Sequence, residues 1–180
     1  LRASVTSELV LQDVKLPGTA ILPGAKGLGA PLSCLNQARY GIAWGVVGAA
    51  MAVYDEVLDY GKNRIQFSKP LASFQLYQAK LVEMVAEITK AQLLNLRLGR
   101  LKEEDTVTPF QISMAKRNAC HQALEIARAG RDMLGANGVS DEYQTMRHMC
   151  NLESVKTYEG THDIHTLIIG RELTGLDAFS

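Results

Sequence analysis

The sequence predicts a mostly α-helical protein built as an antiparallel bundle, with a short strand-like segment ahead of the helices. Three long stretches carry apolar residues every three or four positions, which is the spacing of amphipathic helices. The first 16 residues instead alternate loosely between apolar and polar types, which is typical of a strand. Because no single helix can bury its apolar stripe alone, we expect four or five helices to pack together.

The composition restricts the classes of function. The 180 residues are enough for one sizeable domain, and 19 basic residues balance 19 acidic ones. This balanced charge gives no positive field that would indicate a nucleic-acid partner. Three cysteines far apart in the chain fit a reducing compartment better than a disulfide scaffold. No apolar run is long enough and free enough of charge to predict a membrane span, and the most apolar stretch, 41–53, suits a closely packed buried helix.

The strand-like segment covers Leu1 to Leu16, and prolines and glycines then mark a loop up to about residue 30. A turn or bulge at Asp13 would divide this segment into two short strands, which do not form a stable sheet domain by themselves. We therefore expect residues 1–30 to belong to a larger β-structure and the sequence to be part of a longer chain.

From residue 31 onward the pattern is helical, and residues 31–180 are predicted to form the bundle domain. Gly61 to Asn63 are expected to interrupt or end the first helix, and Gly135 to Gly138 to stop the third. Thr108 and Pro109 suit a helix start with proline in the first turn. The predicted helices are Leu32–Gly61, Phe74–Leu101, Thr108–Leu134, Tyr143–Leu152 and a final helix after Thr161 that ends at Thr174-Gly175.

A turn precedes the last predicted helix. Thr161 suits the N-cap of that helix, and Asp163 in its first turn suits the positive end of the helix dipole. Glu159 is then placed in a turn, beside backbone that Gly160 leaves bare. Such a carboxylate is either a solvated loop residue or a positioned base.

Three motifs occur in order along the sequence: Arg64–Leu71, Asp132–Gly138 and Tyr158–Thr161. They resemble motifs in the C-terminal part of the acyl-CoA dehydrogenase family, and the similarity covers essentially the whole sequence. Three further motifs are Cys34–Gly45, Ser140–Tyr143 and Thr161–His165. These resemble the branch of the family that acts on glutaryl-CoA.

The resemblance implies an FAD-dependent dehydrogenase in which Glu159 is the base that removes the α proton of the thioester. It also implies that residues 1–30 end a middle β-domain and that the bundle builds a homotetramer, a dimer of dimers. In the glutaryl-CoA branch, the substrate is oxidised to glutaconyl-CoA and decarboxylated to crotonyl-CoA. Electrons pass to an electron-transfer flavoprotein, in the degradation of lysine and tryptophan. The compartment implied is the mitochondrial matrix in a eukaryote or the cytoplasm in a bacterium.

By the same resemblance, Arg64 binds the pyrophosphate of an FAD held mainly by a neighbouring subunit, which suits a guanidinium fork. Asp132 and Ala136 depart from relatives that carry Gln and Gly there, and an anion near pyrophosphate requires a cation or a hydroxyl. Read without the resemblance, residues 135–138 are a helix stop, and Arg64 is a solvated or capping residue. The predicted FAD contacts are Arg64, Gln75, Asp132, Met133, Leu134, Gly135, Ala136, Thr161 and Phe179.

The segment from Leu32 to Arg39 resembles the part of the family that covers CoA. Arg39 either lies near Glu159 and tunes it or caps the surface of the first helix. His162 and His165 are three apart, but no cluster completes a metal site, so none is predicted. The predicted substrate contacts are Leu32, Ser33, Cys34, Leu35, Asn36, Gln37, Ala38, Arg39 and Gly160.

Other functions stay open at this point. One alternative is a different short- or branched-chain acyl-CoA dehydrogenase, or a glutaryl-CoA dehydrogenase that does not decarboxylate. Another is a non-catalytic oligomerisation fragment, which would bind little or no FAD by itself.

Overall fold

The computed structural model describes residue 1 and residues 3–178, and these contain five α-helices. The predicted mostly α-helical fold is confirmed. Between the first two helices, strands β1 (Ile65–Gln66) and β2 (Lys69–Pro70) pair antiparallel, with Ile65 opposite Pro70. The helices are α1 (Gly29–Asn63), α2 (Gln75–Glu103), α3 (Pro109–Met133), α4 (Thr145–Thr157) and α5 (His162–Thr174).

The helix α3 lies at the centre of the bundle and packs against all four other helices. Its buried positions recur every three or four residues, as the sequence pattern predicts. Small residues let the neighbouring helices approach closely. At Gly130, an added Cβ would lie 2.5 Å from Val53 Cγ1 on α1, so a side chain there would force the two helices apart.

Part of the apolar surface of α1 lies in this core. Ala43, Val46, Val53 and Val57 are at most 4% exposed. Within the described residues, α1 is also the one helix long and apolar enough to cross a membrane, since it contains an 18-residue stretch with a mean hydropathy of 1.3, of which 33% is buried. The buried core helix of a soluble protein meets the same requirement, so this finding is weak evidence for a span.

The predicted strand at Leu1 to Leu16 is not formed in the structure. The described residues of this segment take no strand conformation, and Val5 and Leu9 are each 85% exposed. A strand needs a neighbour for its backbone N–H and C=O groups, and the bundle offers none here. The assignment of residues 1–30 to a β-domain stays a prediction.

The start of α4 is set by a contact from a distant part of the chain. The carboxylate of Glu56 on α1 accepts hydrogen bonds from the backbone N–H groups of Gln144 and Thr145, both at 2.9 Å. The Thr145 hydroxyl donates to the same carboxylate at 2.6 Å. These bonds satisfy the first amides of the helix, which the local sequence does not cap. Consequently α4 begins at Thr145, later than the predicted Tyr143, and it continues to Thr157, past the predicted end at Leu152.

The predicted start of α3 is confirmed as a capping box. Thr108 Oγ1 accepts from Gln111 N at 3.4 Å, and Gln111 Oε1 accepts from Thr108 N at 2.9 Å. We expect Thr108→Ala to lower the free energy of unfolding by about 1 kcal/mol. Thr108→Ser keeps the hydroxyl and serves as the control in thermal unfolding. Equal melting temperatures for the two variants would contradict a stabilising cap.

Candidate functional site

The turn that carries Glu159 is fixed by its backbone and by the helix that follows it. Glu159 and Gly160 both lie in the left-handed region, with φ of 58° and 94°. Thr161 caps α5 as predicted, because its hydroxyl accepts from Ile164 N at 3.2 Å. Asp163 lies in the first turn of α5, where its charge complements the helix dipole. A non-glycine residue with positive φ is uncommon and requires support from its surroundings.

Arg39 on α1 supplies part of that support. Its Nε donates to the backbone carbonyl of Glu159 at 2.8 Å, across 120 positions of sequence, and its Nη1 donates to Asn36 Oδ1 at 3.3 Å. Arg39 is only 8% exposed, so the alternative of a surface cap is wrong. The structure thus brings together four of the predicted site residues: Asn36, Arg39, Glu159 and Gly160.

The carboxylate of Glu159 has a buried oxygen without a hydrogen-bond partner among the described residues. Oε2 is buried and accepts no hydrogen bond from the part of the chain that the structure describes. A buried carboxylate oxygen without a donor keeps its lone pairs available for a proton from a bound molecule.

Lys116 on α3 is a site residue that the sequence reasoning missed. It is 1% exposed, and its Nζ donates to the carbonyls of Tyr158 and Gly160, both at 2.9 Å. A signal was present in the sequence, because Lys116 lies in line with the apolar stripe of α3 at Ile112 and Ala119. A lysine at a core position needs a polar partner inside the protein.

His165 lies beneath the turn and explains why residue 160 is glycine. A Cβ at Gly160 would lie 3.0 Å from His165 Nε2 and 3.2 Å from Cε1. His165 is fully buried, which suits packing. The described residues hold no group of three or more side chains that could bind a metal ion, and the ring of His162 instead lies 5.5 Å from that of His121.

The buried environment of His165 is expected to make the stability of the folded protein depend on pH. Burial, together with the charges of Lys116 and Arg39, lowers the pKa of His165 to about 4. The nearby His162 also lowers this pKa, and the backbone of Glu159 raises it. The unfolded chain, with a pKa near 6.5, then binds more protons between pH 6.5 and 4. We expect stability to fall as pH drops through this window, and to fall less in His165→Phe. Melting temperatures at pH 7.5 and 5.5 test this, and parallel losses in both proteins would contradict it.

The predicted FAD contacts divide into two groups that lie near opposite ends of α1. Arg39, beside the Glu159 turn, and Arg64 are 25 positions apart along the helix and its cap, which is roughly 38 Å. Thr161 is at the Glu159 end. Arg64 and Asn137 line one pocket of about 470 Å³ at the other end. Within the described chain the two groups therefore do not form one cofactor pocket.

The end of the bundle that holds Arg64 carries features that suit a large aromatic anion. An apolar pocket of about 270 Å³ is lined by residues of the hairpin, α2 and α3, and an ammonium group stands at its edge. Gly135 and Ala136 are exposed, and no atom of the described residues lies within 4 Å of a Cβ built on Gly135. Flat apolar rings fit the pocket, and phosphates suit the nearby cations. The pocket residues are Phe67, Leu71, Phe74, Leu76, Tyr77, Lys80 and Met133.

The carboxylate of Asp132 is paired with a cation, which an anion near a pyrophosphate site requires. Lys80 Nζ lies 2.7 Å from its carboxylate, and this hydrogen bond and charge hold the pKa of Asp132 below its usual range. Lys80 was not foreseen from the sequence. Met133 and Leu134 are 7% and 1% exposed, so both belong to the core, and of the two Met133 also lines the apolar pocket. Gln75 is exposed at the start of α2, and Phe179 lies outside the described residues.

The predicted CoA segment occupies the first turns of α1. Leu32, Ser33 and Cys34 are exposed there, as is Gln37, whose side-chain oxygen accepts from Lys102 on α2. The half-buried members are Leu35, Asn36 and Ala38. An exposed segment that ends at Arg39 leads directly from the surface to the Glu159 turn.

Comparisons with known proteins show the family to which the chain belongs. The family model for the acyl-CoA dehydrogenase C-terminal domain matches residues 25–174, so the chain belongs to the acyl-CoA dehydrogenase family. The chain is 33% identical to the short-chain specific acyl-CoA dehydrogenase of Megasphaera elsdenii over 174 residues. A glutaryl-CoA dehydrogenase structure from Mycobacterium smegmatis is 54% identical with a TM-score of 0.97, and another, in complex with FADH2, is 49% identical with a TM-score of 0.93.

The chain spans less than half the length of the relatives it matches. The match covers 96% of the chain but 45% of the Megasphaera elsdenii protein. For the two Mycobacterium smegmatis structures, 99% and 95% of the chain align with 46% and 44% of theirs. Members of this family are FAD enzymes, so the predicted cofactor is confirmed at the level of the family.

Proposed function

We propose that the protein oxidises glutaryl-CoA, with Glu159 as the base that removes the proton next to the thioester carbonyl. The observation that carries this proposal is the buried, unengaged Oε2 of Glu159 on a turn held from two sides by Arg39 and Lys116. An α proton of a thioester is only weakly acidic. The base must therefore be fixed at contact distance and kept from bulk water, and a buried Oε2 on a turn that Arg39 and Lys116 hold suits both conditions.

Bound FAD supplies the acceptor for the hydride that leaves the β carbon. Thr161 and Gly160 are the residues of this chain that face the same site as Glu159. We assign Arg64, Gln75, the backbone of Asp132–Ala136 and Phe179 to an FAD held mainly by a neighbouring subunit, because Arg64 and the end of α3 lie far from the Glu159 turn. Such an arrangement makes the active form an oligomer, for which we propose a homotetramer.

The choice of glutaryl-CoA rests on sequence identity, which is higher to the glutaryl-CoA dehydrogenase structures than to the short-chain relative. The reaction would form glutaconyl-CoA, lose carbon dioxide and leave crotonyl-CoA, as in the breakdown of lysine and tryptophan. Electrons would leave to an electron-transfer flavoprotein. The compartment would be the mitochondrial matrix or a bacterial cytoplasm, and residues 1–30 would end a middle β-domain.

To test this proposal, the complete protein encoded by the gene is mixed anaerobically with glutaryl-CoA or butyryl-CoA, and the absorbance of its flavin is followed. We expect fast bleaching with glutaryl-CoA and release of carbon dioxide from it. Bleaching by butyryl-CoA alone would keep the family and refute the substrate. Bleaching by glutaryl-CoA without carbon dioxide would indicate a dehydrogenase that does not decarboxylate.

The 180-residue chain by itself is expected to bind little or no FAD, because Thr161 lies at the Glu159 turn, beside Arg39, whereas Arg64 lies roughly 38 Å from Arg39 along α1. Exposed apolar side chains along α2, such as Val82, Leu93 and Leu96, fit the competing idea of an oligomerisation fragment. Flavin absorbance after gel filtration of the isolated chain tests the first statement. A chain that elutes with one flavin per subunit would contradict it.

A further inference from the structure

The strongest unassigned feature of the molecule is the buried ammonium group under the catalytic turn. Lys116 is 1% exposed, and none of the described carboxylates lies within ion-pair distance of it. Within the described chain its hydrogen bonds go only to backbone carbonyls, those of Tyr158 and Gly160 at 2.9 Å and of Lys156 at 3.5 Å. A buried ammonium group whose N–H donors all bond to one short segment stabilises one conformation of that segment.

The carbonyls involved are the ones that define the backbone of Glu159. The Tyr158 carbonyl belongs to the peptide plane before Glu159, and the Glu159 carbonyl, held by Arg39 Nε, belongs to the plane after it. The Gly160 carbonyl belongs to the plane after that. Three successive peptide planes are thus held by two cations. Since Glu159 has a φ of 58°, these bonds offset the cost of its left-handed conformation and set the direction of its side chain.

Four titratable or charged groups lie near Lys116 beneath the turn. Arg39, Cys120, Glu159 and His165 all face it. Burial raises the pKa of the Cys120 thiol to about 11 and lowers that of His165 to about 4, so both are neutral near pH 7. Burial also lowers the pKa of Lys116 from its usual value.

We propose that Lys116 is a positioning residue for the base: its ammonium group holds the backbone on both sides of Glu159, so that the carboxylate meets the α carbon of the bound thioester. Lys116 itself touches no substrate. This inference rests on the proposed role of Glu159. It predicts that loss of Lys116 slows proton abstraction far more than it weakens ligand binding.

The test measures proton abstraction without hydride transfer. In a 3-thia acyl-CoA, sulfur replaces the β carbon, so the analogue can lose an α proton but has no β hydride to give. The gene-encoded holoenzyme is incubated with this analogue in D2O, and deuterium uptake is followed by mass spectrometry. Calorimetry gives the Kd of the same analogue. The variants are K116M, which removes the charge, K116Q, which keeps N–H donors, and K90M, in which an exposed lysine on α2 is replaced.

We expect K116M to slow exchange about 10- to 100-fold, with a Kd within about 2-fold of the unmutated protein. K116Q should fall between, and K90M should match the unmutated protein. Exchange at the unmutated rate in K116M would overturn the proposal, as would a loss of affinity as large as the loss of rate. If K116M does not fold, K116Q decides by the same two criteria. An unmutated protein that exchanges no proton would instead refute the role of Glu159 and the proposed function.

Discussion

Glu159→Gln is expected to slow flavin reduction by acyl-CoA by about 10²- to 10⁴-fold, which is the usual contribution of a general base. The amide keeps the size and shape of the side chain, so the turn and its bonds to Arg39 and Lys116 should persist. What is lost is the carboxylate that accepts the proton through the buried Oε2. Thioester binding should change little, because the substitution removes a group that acts mainly in the transition state.

The measurement is stopped-flow absorbance of the flavin under anaerobic conditions, at saturating substrate, with the FAD content of each protein determined beforehand. Glu172→Gln, an exposed change on α5, is the matched control and should reduce at the unmutated rate. A Glu159→Gln protein that bleaches as fast as this control would show that another group removes the proton.

The helical bundle could be predicted because the residues that specify each helix lie close together in the sequence. Apolar residues at helical spacing determined three long helices, and Thr108, Pro109 and Thr161 marked helix starts correctly. The hairpin between α1 and α2 was not predictable in this way. Its turn places Phe67 and Ser68 in the left-handed region, at φ of 52° and 63°, where Asn and Gly are the usual signals. The late start of α4 depends on Glu56, which lies 88 positions before Gln144.

The residues of the site likewise divide into those that are adjacent in the sequence and those that only the fold brings together. Glu159 and Gly160 stand together in one motif, so the sequence located them. Arg39 and Lys116 reach the turn from 120 and 43 positions away, respectively, and only the packing of α1 and α3 around it brings them there. Arg39 belonged to a motif and was foreseen as a neighbour, whereas Lys116 lay in a stretch that carried no motif.

Gly160→Ala is expected to disable the site even though it adds only one methyl group. At φ of 94° an L-residue is strained, at a cost of about 1–3 kcal/mol. The new Cβ would also lie 3.0 Å from His165 Nε2 and 3.4 Å from Arg39 Nη2. His165 is fully buried and cannot swing into solvent, so the backbone of the turn has to shift. Because Glu159 is the preceding residue, we expect flavin reduction to slow by about 10²-fold and the melting temperature to fall.

Gly170→Ala supplies the control, since Gly170 lies inside α5 with nothing within 4 Å of an added Cβ. Alanine favours a helix interior over glycine by about 1 kcal/mol, so this variant should melt no lower than the unmutated protein and should reduce its flavin normally. Stopped-flow reduction and thermal unfolding of both variants separate strain at the turn from a general sensitivity of α5. If Gly160→Ala keeps the unmutated rate, the turn tolerates a side chain and the tight fixation of Glu159 by its neighbours is wrong. If it loses the rate but melts normally, the strain is confined to the position of the carboxylate.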